Sequence, residues 1–175
     1  MELKELRVLK LPLLIAVSLI LQSSDTVIRQ ALEKDGVVFT HNNSVTLLTS
    51  GQEKFDDMFE AIRQAKSSVH LEYFNFRNDS IASELFDLLR IKAKEGVEVR
   101  ALFDGFGNDS NNRPLKRSHI EKLRDDGIEI YEFDPVRFPW VNHVFTRDHR
   151  KIVVIDGNVA YTGGMNVADY YIKGT

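Results

Sequence analysis

The sequence predicts an α/β fold, with a mixed, largely parallel β-sheet flanked by helices. Three observations predict it. Strand-like and helix-like runs alternate from Val69 onward, the pattern of βαβ units. Two echoes, Gly96-Val97-Glu98-Val99 and Gly127-Ile128-Glu129-Ile130, each end a helix on a glycine and open a strand. Toward the C-terminus, the β-branched run Ile152-Val153-Val154-Ile155 is followed by Asp156-Gly157 and then Val159 to Thr162, which reads as a hairpin.

Taken in order, the chain opens with Lys4, Arg7 and Lys10 ahead of an apolar run from Leu11 to Leu21. That run is too short to span a bilayer, which takes ~20 residues, and it suits the apolar core of an export signal. No clear small-x-small cleavage site follows, so residues 1–23 are read as a signal or membrane-anchor segment and residues 24–42 as a connector. A short helix is expected from Ser24 to Lys34, ending at Asp35-Gly36, and a weakly alternating strand from Ser44 to Thr49. Ser50-Gly51-Gln52-Glu53 is a capping-box signal. Behind it Phe55, Met58, Phe59, Ile62 and Ala65 fall on one helical stripe, read as core.

Val69 to Phe74 is the next strand. Asp79 and Ser80 cap a helix that turns Ile81, Leu85, Leu88 and Leu89 inward and stops at Gly96. A strand from Val97 to Phe103, a polar loop over Asn108 to Arg113 and a helix from Leu115 to Asp126 follow. Ligands of open α/β sheets gather at the carboxyl ends of strands, so Asp104-Gly105-Phe106-Gly107 either lines a pocket rim or simply turns the chain. The irregular stretch Asp134 to Val144 carries Phe138 and Trp140, which either dip into a lipid surface or pack on the domain. His41, His70, His119 and His143 lack metal-ligand spacing and are read as structural or solvated.

Composition bounds the function. The 175 residues, 43% hydrophobic and 28% charged, suit one globular domain, and the net charge of -3 gives no electrostatic case for nucleic acid. Cysteine is absent, which excludes disulfides and thiolate zinc sites.

The chemistry concentrates in Arg147 to Asn166. His149 and Lys151 stand two positions apart at the mouth of the β-branched run, so both should project from one face of a strand. The run itself, apolar on both faces, is expected to be a covered central strand. A histidine and a lysine there call for an anion, since burying unpartnered polar groups is costly. Gly163-Gly164-Met165-Asn166 offers open backbone and an amide, suited to phosphate oxygens. Asp156 is out of phase with His149 and Lys151, and its parity assigns it to fixing the hairpin.

The spacing H-x-K-x-x-x-x-D followed by G-G-x-N, carried by His149, Lys151, Asp156, Gly163, Gly164 and Asn166, resembles the signature of the phospholipase D superfamily. The wider stretch, FDDMFEAIRQAKSSVHLEYF, KEGVEVRALFD, RDHRKIVVIDG and GGMNVADYY, is similar to the bacterial cardiolipin synthases. The resemblance implies a phospholipase D-like sandwich and groups His149, Lys151 and Asp156 as catalytic residues. Gly163, Gly164 and Asn166 would bind the substrate phosphate. It implies a phosphatidyltransferase acting on phosphatidylglycerol through a phosphohistidine, with phospholipase D-type hydrolysis, or phosphate binding without turnover, as the alternatives. Family members carry the motif twice and build one site between the halves, whereas this sequence holds one copy and stops nine residues past Asn166. The expectation is therefore the first-motif half of a two-motif enzyme, with residues 43–175 as a truncated catalytic half-domain. A second half or a homodimer partner would supply the other His-Lys pair. No metal or other cofactor and no nucleic acid are expected; the membrane is the expected location.

Overall fold

The computed structural model describes residues 25–136, 139 and 145–173. The expectations for residues 1–23, Phe138, Trp140 and His143 lie outside the described residues. The chain divides into two units, Met1–Thr46 and Leu47–Thr175. In the first, helix α1 (residues 25–34) ends where Gly36 takes a φ of 85°, a left-handed stop that glycine adopts without strain. Arg29 pairs with Glu33 at 3.0 Å, and its guanidinium lies over the Phe39 ring and beside His41.

The second unit holds helices α2 (Gly51–Gln64), α3 (Ser80–Lys94), α4 (Gly105–Asp109), α5 (Arg117–Asp125) and α6 (Tyr170–Lys173). Its strands are β1 (Ser68–Tyr73), β2 (Glu98–Asp104), β3 (Glu129–Phe133), β4 (Lys151–Ile155) and β5 (Val159–Thr162). They form one mixed sheet in the order β3-β2-β1-β4-β5, with β1, β2 and β3 parallel and both β4 and β5 joined antiparallel to their neighbours.

The caps follow the sequence. Ser50 Oγ accepts from Glu53 N at 3.1 Å, while Glu53 reaches back to Thr49 N, and Asp79 caps α3 through Ala82 N. The predicted stripe Phe55, Met58, Phe59 and Ile62 is buried, together with Leu85, Leu88 and Leu89 of α3. Against them lie Val69, Leu71, Tyr73, Val99, Ala101, Phe103, Ile130, Val153 and Ile155, so α2 and α3 share one core with one face of the sheet. Each buried Val, Leu, Ile, Phe or Met side chain contributes about 1.5–3 kcal/mol.

Four expectations need correction. Ser44 to Thr49 forms no strand: Val45 and Leu47 are exposed, and among the described residues no strand pairs with the segment. β4 is an interior strand, bonded to β1 and β5, but it is not covered on both faces: Ile152 and Val154 are only half-buried on the face away from the core. The helix expected from Leu115 starts at Arg117, because the buried Asn108 amide bonds both Leu115 N (2.8 Å) and Leu115 O (3.1 Å) and holds that residue extended. The turn after β2 is instead a short helix, capped when the Asp104 carboxylate accepts from Gly107 N.

Register decides where the site lies. Tyr73 pairs with both Phe103 and Lys151, and Phe103 with Glu132. The carboxyl ends of β1, β2 and β3 therefore meet the start of β4 at one end of the sheet. Asp156 closes the opposite end, about 16 Å from Lys151 at ~3.3 Å per strand residue.

Candidate functional site

Lys151 opens β4 opposite Tyr73 and shares its helix-covered face. The side chain is buried, at 6% exposure. Its Nζ donates to the His149 carbonyl at 2.5 Å and lies 5.3 Å from the Phe74 ring centroid. Burial lowers the lysine's pKa, with the nearby Asp148 charge opposing the shift. Among the described residues no carboxylate forms an ion pair with it. A desolvated ammonium without a paired anion is unfavourable in isolation and attracts one.

His149 precedes β4 and is exposed. Its ring meets the edge of Phe74, with centroids 4.6 Å apart and planes at 61°. Phe74 thus touches both residues of the predicted pair. Its own position is set from behind by α4: a Cβ on Gly107 would lie 2.2 Å from the Phe74 carbonyl oxygen, so only glycine fits. Directly after Phe74, Asn75 N donates to Asn166 Oδ1 at 3.4 Å, and Phe76 bridges to Val167. The buried Asn166 is thereby fastened beside the same corner.

The loop entering β4 is anchored by the fully buried Asp104. Its carboxylate accepts from Arg147 Nη1 at 2.9 Å and from Asp148 N at 2.8 Å, besides capping α4. Arg147 also reaches the Asp134 carbonyl at 2.9 Å, tying the end of β3 to the same loop. Asp104 therefore does more than turn the chain: it fixes the backbone that carries His149. The structure gives it no place on an open rim.

The other candidates fall elsewhere. Gly163 and Gly164 are exposed beyond the end of β5, and no atom lies within 4 Å of a Cβ built on either. The register that pairs Ile152 with Thr162, continued one step, sets Gly163 opposite Lys151. Asp156, grouped with the catalytic pair by the motif, lies at the far end of β4. Its carboxylate accepts from Lys66 N, Ser67 N, Ser67 Oγ and Ser68 N at 2.7–2.9 Å. The bonds from Ser68, Ser67 and Lys66 hold its pKa far below the usual carboxylate range. It fastens the start of β1 to the β4–β5 hairpin, as its parity indicated, and does not join the cluster around Phe74.

Sequence reasoning passed over Phe74, Glu72, Asp148 and Lys54, and named Gly107 only as part of a pocket rim or turn. The Lys54 ammonium sits 3.7 Å from the Phe55 ring centroid and donates to Tyr73 Oη at 3.2 Å, and burial lowers its pKa to about 7. Nothing in the α2 pattern marked it, because a lysine beside an apolar stripe usually snorkels to water. Asp148 and Arg150 alternate with His149 and Lys151, a parity that was available to be read.

Residues 58–173 match the family model described as cardiolipin synthase, PLD-like domain. The chain is 41% identical over 141 residues to a cardiolipin synthase of Oceanobacillus iheyensis, covering 81% of this chain and 29% of that protein. It is 42% identical over 142 residues to one of Halalkalibacterium halodurans, covering 81% and 27%. The chain thus spans less than a third of the length of these curated relatives. Among solved structures, Nuc of Salmonella typhimurium, titled a phospholipase D family member, superimposes with a TM-score of 0.51 at 21% identity, over 69% of this chain and 68% of that one. NucT of Helicobacter pylori gives 0.50 at 14% identity, over 71% and 73%. At those identities the likeness is one of fold.

Proposed function

Given that this chain belongs to the cardiolipin synthase, phospholipase D-like family, we propose that it carries the first-motif half-site of a phosphatidyltransferase acting on phosphatidylglycerol. The carrying observation is the pairing at Phe74 of an exposed imidazole with a buried ammonium that has no carboxylate ion pair among the described residues. Lys151 holds a non-bridging phosphate oxygen. A neutral His149 nitrogen attacks phosphorus, and the P–O bond to the departing glycerol breaks, leaving a phosphatidyl-histidine. The hydroxyl of a second phosphatidylglycerol then attacks phosphorus, releasing cardiolipin and free histidine. Asn166 and backbone N–H groups near Gly163 and Gly164 stabilise the remaining oxygens.

One proton must reach the leaving alkoxide and another must leave the attacking hydroxyl, a role worth about 10²–10⁴ in rate. A second His-Lys pair, from a second half or a homodimer partner, supplies that acid and base at a membrane surface. Asp156 takes no direct part.

The test incubates the protein, with the second motif present, in mixed micelles of phosphatidylglycerol. Cardiolipin and glycerol should form in equal amounts, and His149→Asn should abolish both. Phosphatidic acid as the sole product would replace transfer with hydrolysis, and lipid binding without turnover would reduce the site to a phosphate receptor.

A further inference from the structure

On the face of the sheet away from the core, Arg150 bridges Glu72 and Asp148 beside the backbone of His149. Arg150 Nη2 contacts Glu72 Oε1 at 2.6 Å, and Arg150 Nε donates to Asp148 Oδ1 at 2.9 Å. Arg150 N also donates to Asp148 Oδ1, at 3.2 Å. One Arg150 guanidinium thus holds both carboxyl groups and sets them side by side. The Asp148 side chain is only 2% exposed, yet its Oδ2 is a buried acceptor that no N–H or O–H group among the described residues satisfies. Two ionised carboxylates supply no donor, and a buried unsatisfied acceptor is disfavoured. A proton on Glu72, donated to Asp148 Oδ2, would supply the missing donor and close a ring while Glu72 Oε1 still accepts from Arg150.

We propose that Glu72 and Asp148 share one proton and that this pair, clasped by Arg150, is the positioning device for His149. Its consequence for turnover rests on the phosphoryl-transfer reading above; its existence does not. The ring pins the residues on either side of His149, so the imidazole is presented from a backbone held at both neighbours. Burial, the Asp148 hydrogen bond and the Asp148 charge raise the Glu72 pKa, with Arg150 opposing. Burial pushes Asp148 upward as well, but the bonds from Glu72 and Arg150 outweigh it and leave its pKa lowered. The other charged or titratable side chains near the pair are His70 on the same face of β1, Arg100 beside it on β2, and Lys151, whose charge reaches Asp148. Because the folded pKa of Glu72 is raised, the ring is intact below that value and opens as pH rises through it.

Carboxyl ¹³C and amide ¹⁵N NMR titrations of the full chain test this. Glu72 should titrate above the ordinary glutamate value of 4.5, and Asp148 below the ordinary aspartate value of 3.8. The Arg150 amide and the His149 ring should show an inflection at the Glu72 midpoint. Glu72→Gln, whose carboxamide donates permanently to Asp148 Oδ2, should erase that inflection, and Asp148→Asn should return Glu72 toward its ordinary value. Ordinary titration of Glu72 in the wild type would overturn the shared proton. An Arg150 amide and His149 ring indifferent to Glu72 would overturn the positioning role. None of these readouts needs turnover, so they separate this proposal from the fate of the phosphohistidine.

Discussion

Gly107→Ala tests how the fold delivers chemistry to His149. The new Cβ would stand 2.2 Å from the Phe74 carbonyl oxygen and 2.8 Å from its ring, whereas ordinary contact begins near 3.4 Å. The obstructing atom is backbone, so no side-chain rotation relieves it, and α4 or Phe74 must move by about 1 Å, the difference between the two distances. Overpacking of this kind costs ~1–3 kcal/mol. At about 4 °C per kcal/mol for a domain of this size, Tm should fall by roughly 4–12 °C. Phe74 touches both the His149 ring and the Lys151 ammonium, and a misplacement of about 1 Å can lower turnover ~10²-fold. Thermal melts by circular dichroism and cardiolipin formation from phosphatidylglycerol read the two effects. A variant with wild-type Tm and wild-type turnover would refute the inference that Gly107 sets the position of Phe74 and, through it, of the site.

Gly163→Ala is the matched contrast: with no atom within 4 Å of its Cβ, stability should stay within about 0.5 kcal/mol of wild type, while turnover falls if its backbone approaches phosphate. Lys151→Met should cut turnover by about 10²–10³, as loss of a preorganised charge does, without lowering Tm, because it removes a desolvated cation. Lys54, with its pKa lowered to about 7, binds fewer protons folded than unfolded above that pH. Stability should therefore rise between about pH 7 and 10, and Lys54→Met should flatten that rise in a pH series of denaturant melts. Asp156, with its pKa depressed, contributes stability above its unfolded value that is lost on acidification; Asp156→Asn should lower Tm at pH 7 and weaken the acid dependence, with kcat of the folded protein unchanged. Because the proposed chemistry rests on imidazole and ammonium, excess EDTA should leave turnover intact.

Local signals carried much of the fold. The capping box at Ser50, the α2 stripe and the glycine stops at Gly96 and Gly127 are short-range features, and each formed as its residues dictate. Ser44 to Thr49 misled because alternation states only that one face could be buried, and nothing in it supplies a pairing strand. For the site, strand alternation put His149 and Lys151 on one face of a strand, whereas β4 opens only at Lys151 and the exposed His149 precedes it; the parity of Asp156 assigned it to the hairpin that its carboxylate ties to β1. The need for glycine at Gly107 was not legible, since it arises from a Phe74 carbonyl 33 positions earlier in the chain. The Glu72–Asp148–Arg150 ring was likewise hidden, because it joins β1 to the entrance of β4 through antiparallel register that no single segment encodes.

The central claim is a bond between phosphorus and the His149 ring. Rapid quenching of the protein during turnover of phosphatidylglycerol, under conditions that spare phosphoramidates, followed by peptide mass spectrometry, tests it most directly. A phosphatidyl adduct on the peptide containing His149, absent from His149→Asn, is the predicted result. Steady turnover with no phosphorus on that residue, or with the adduct on another side chain, would contradict it.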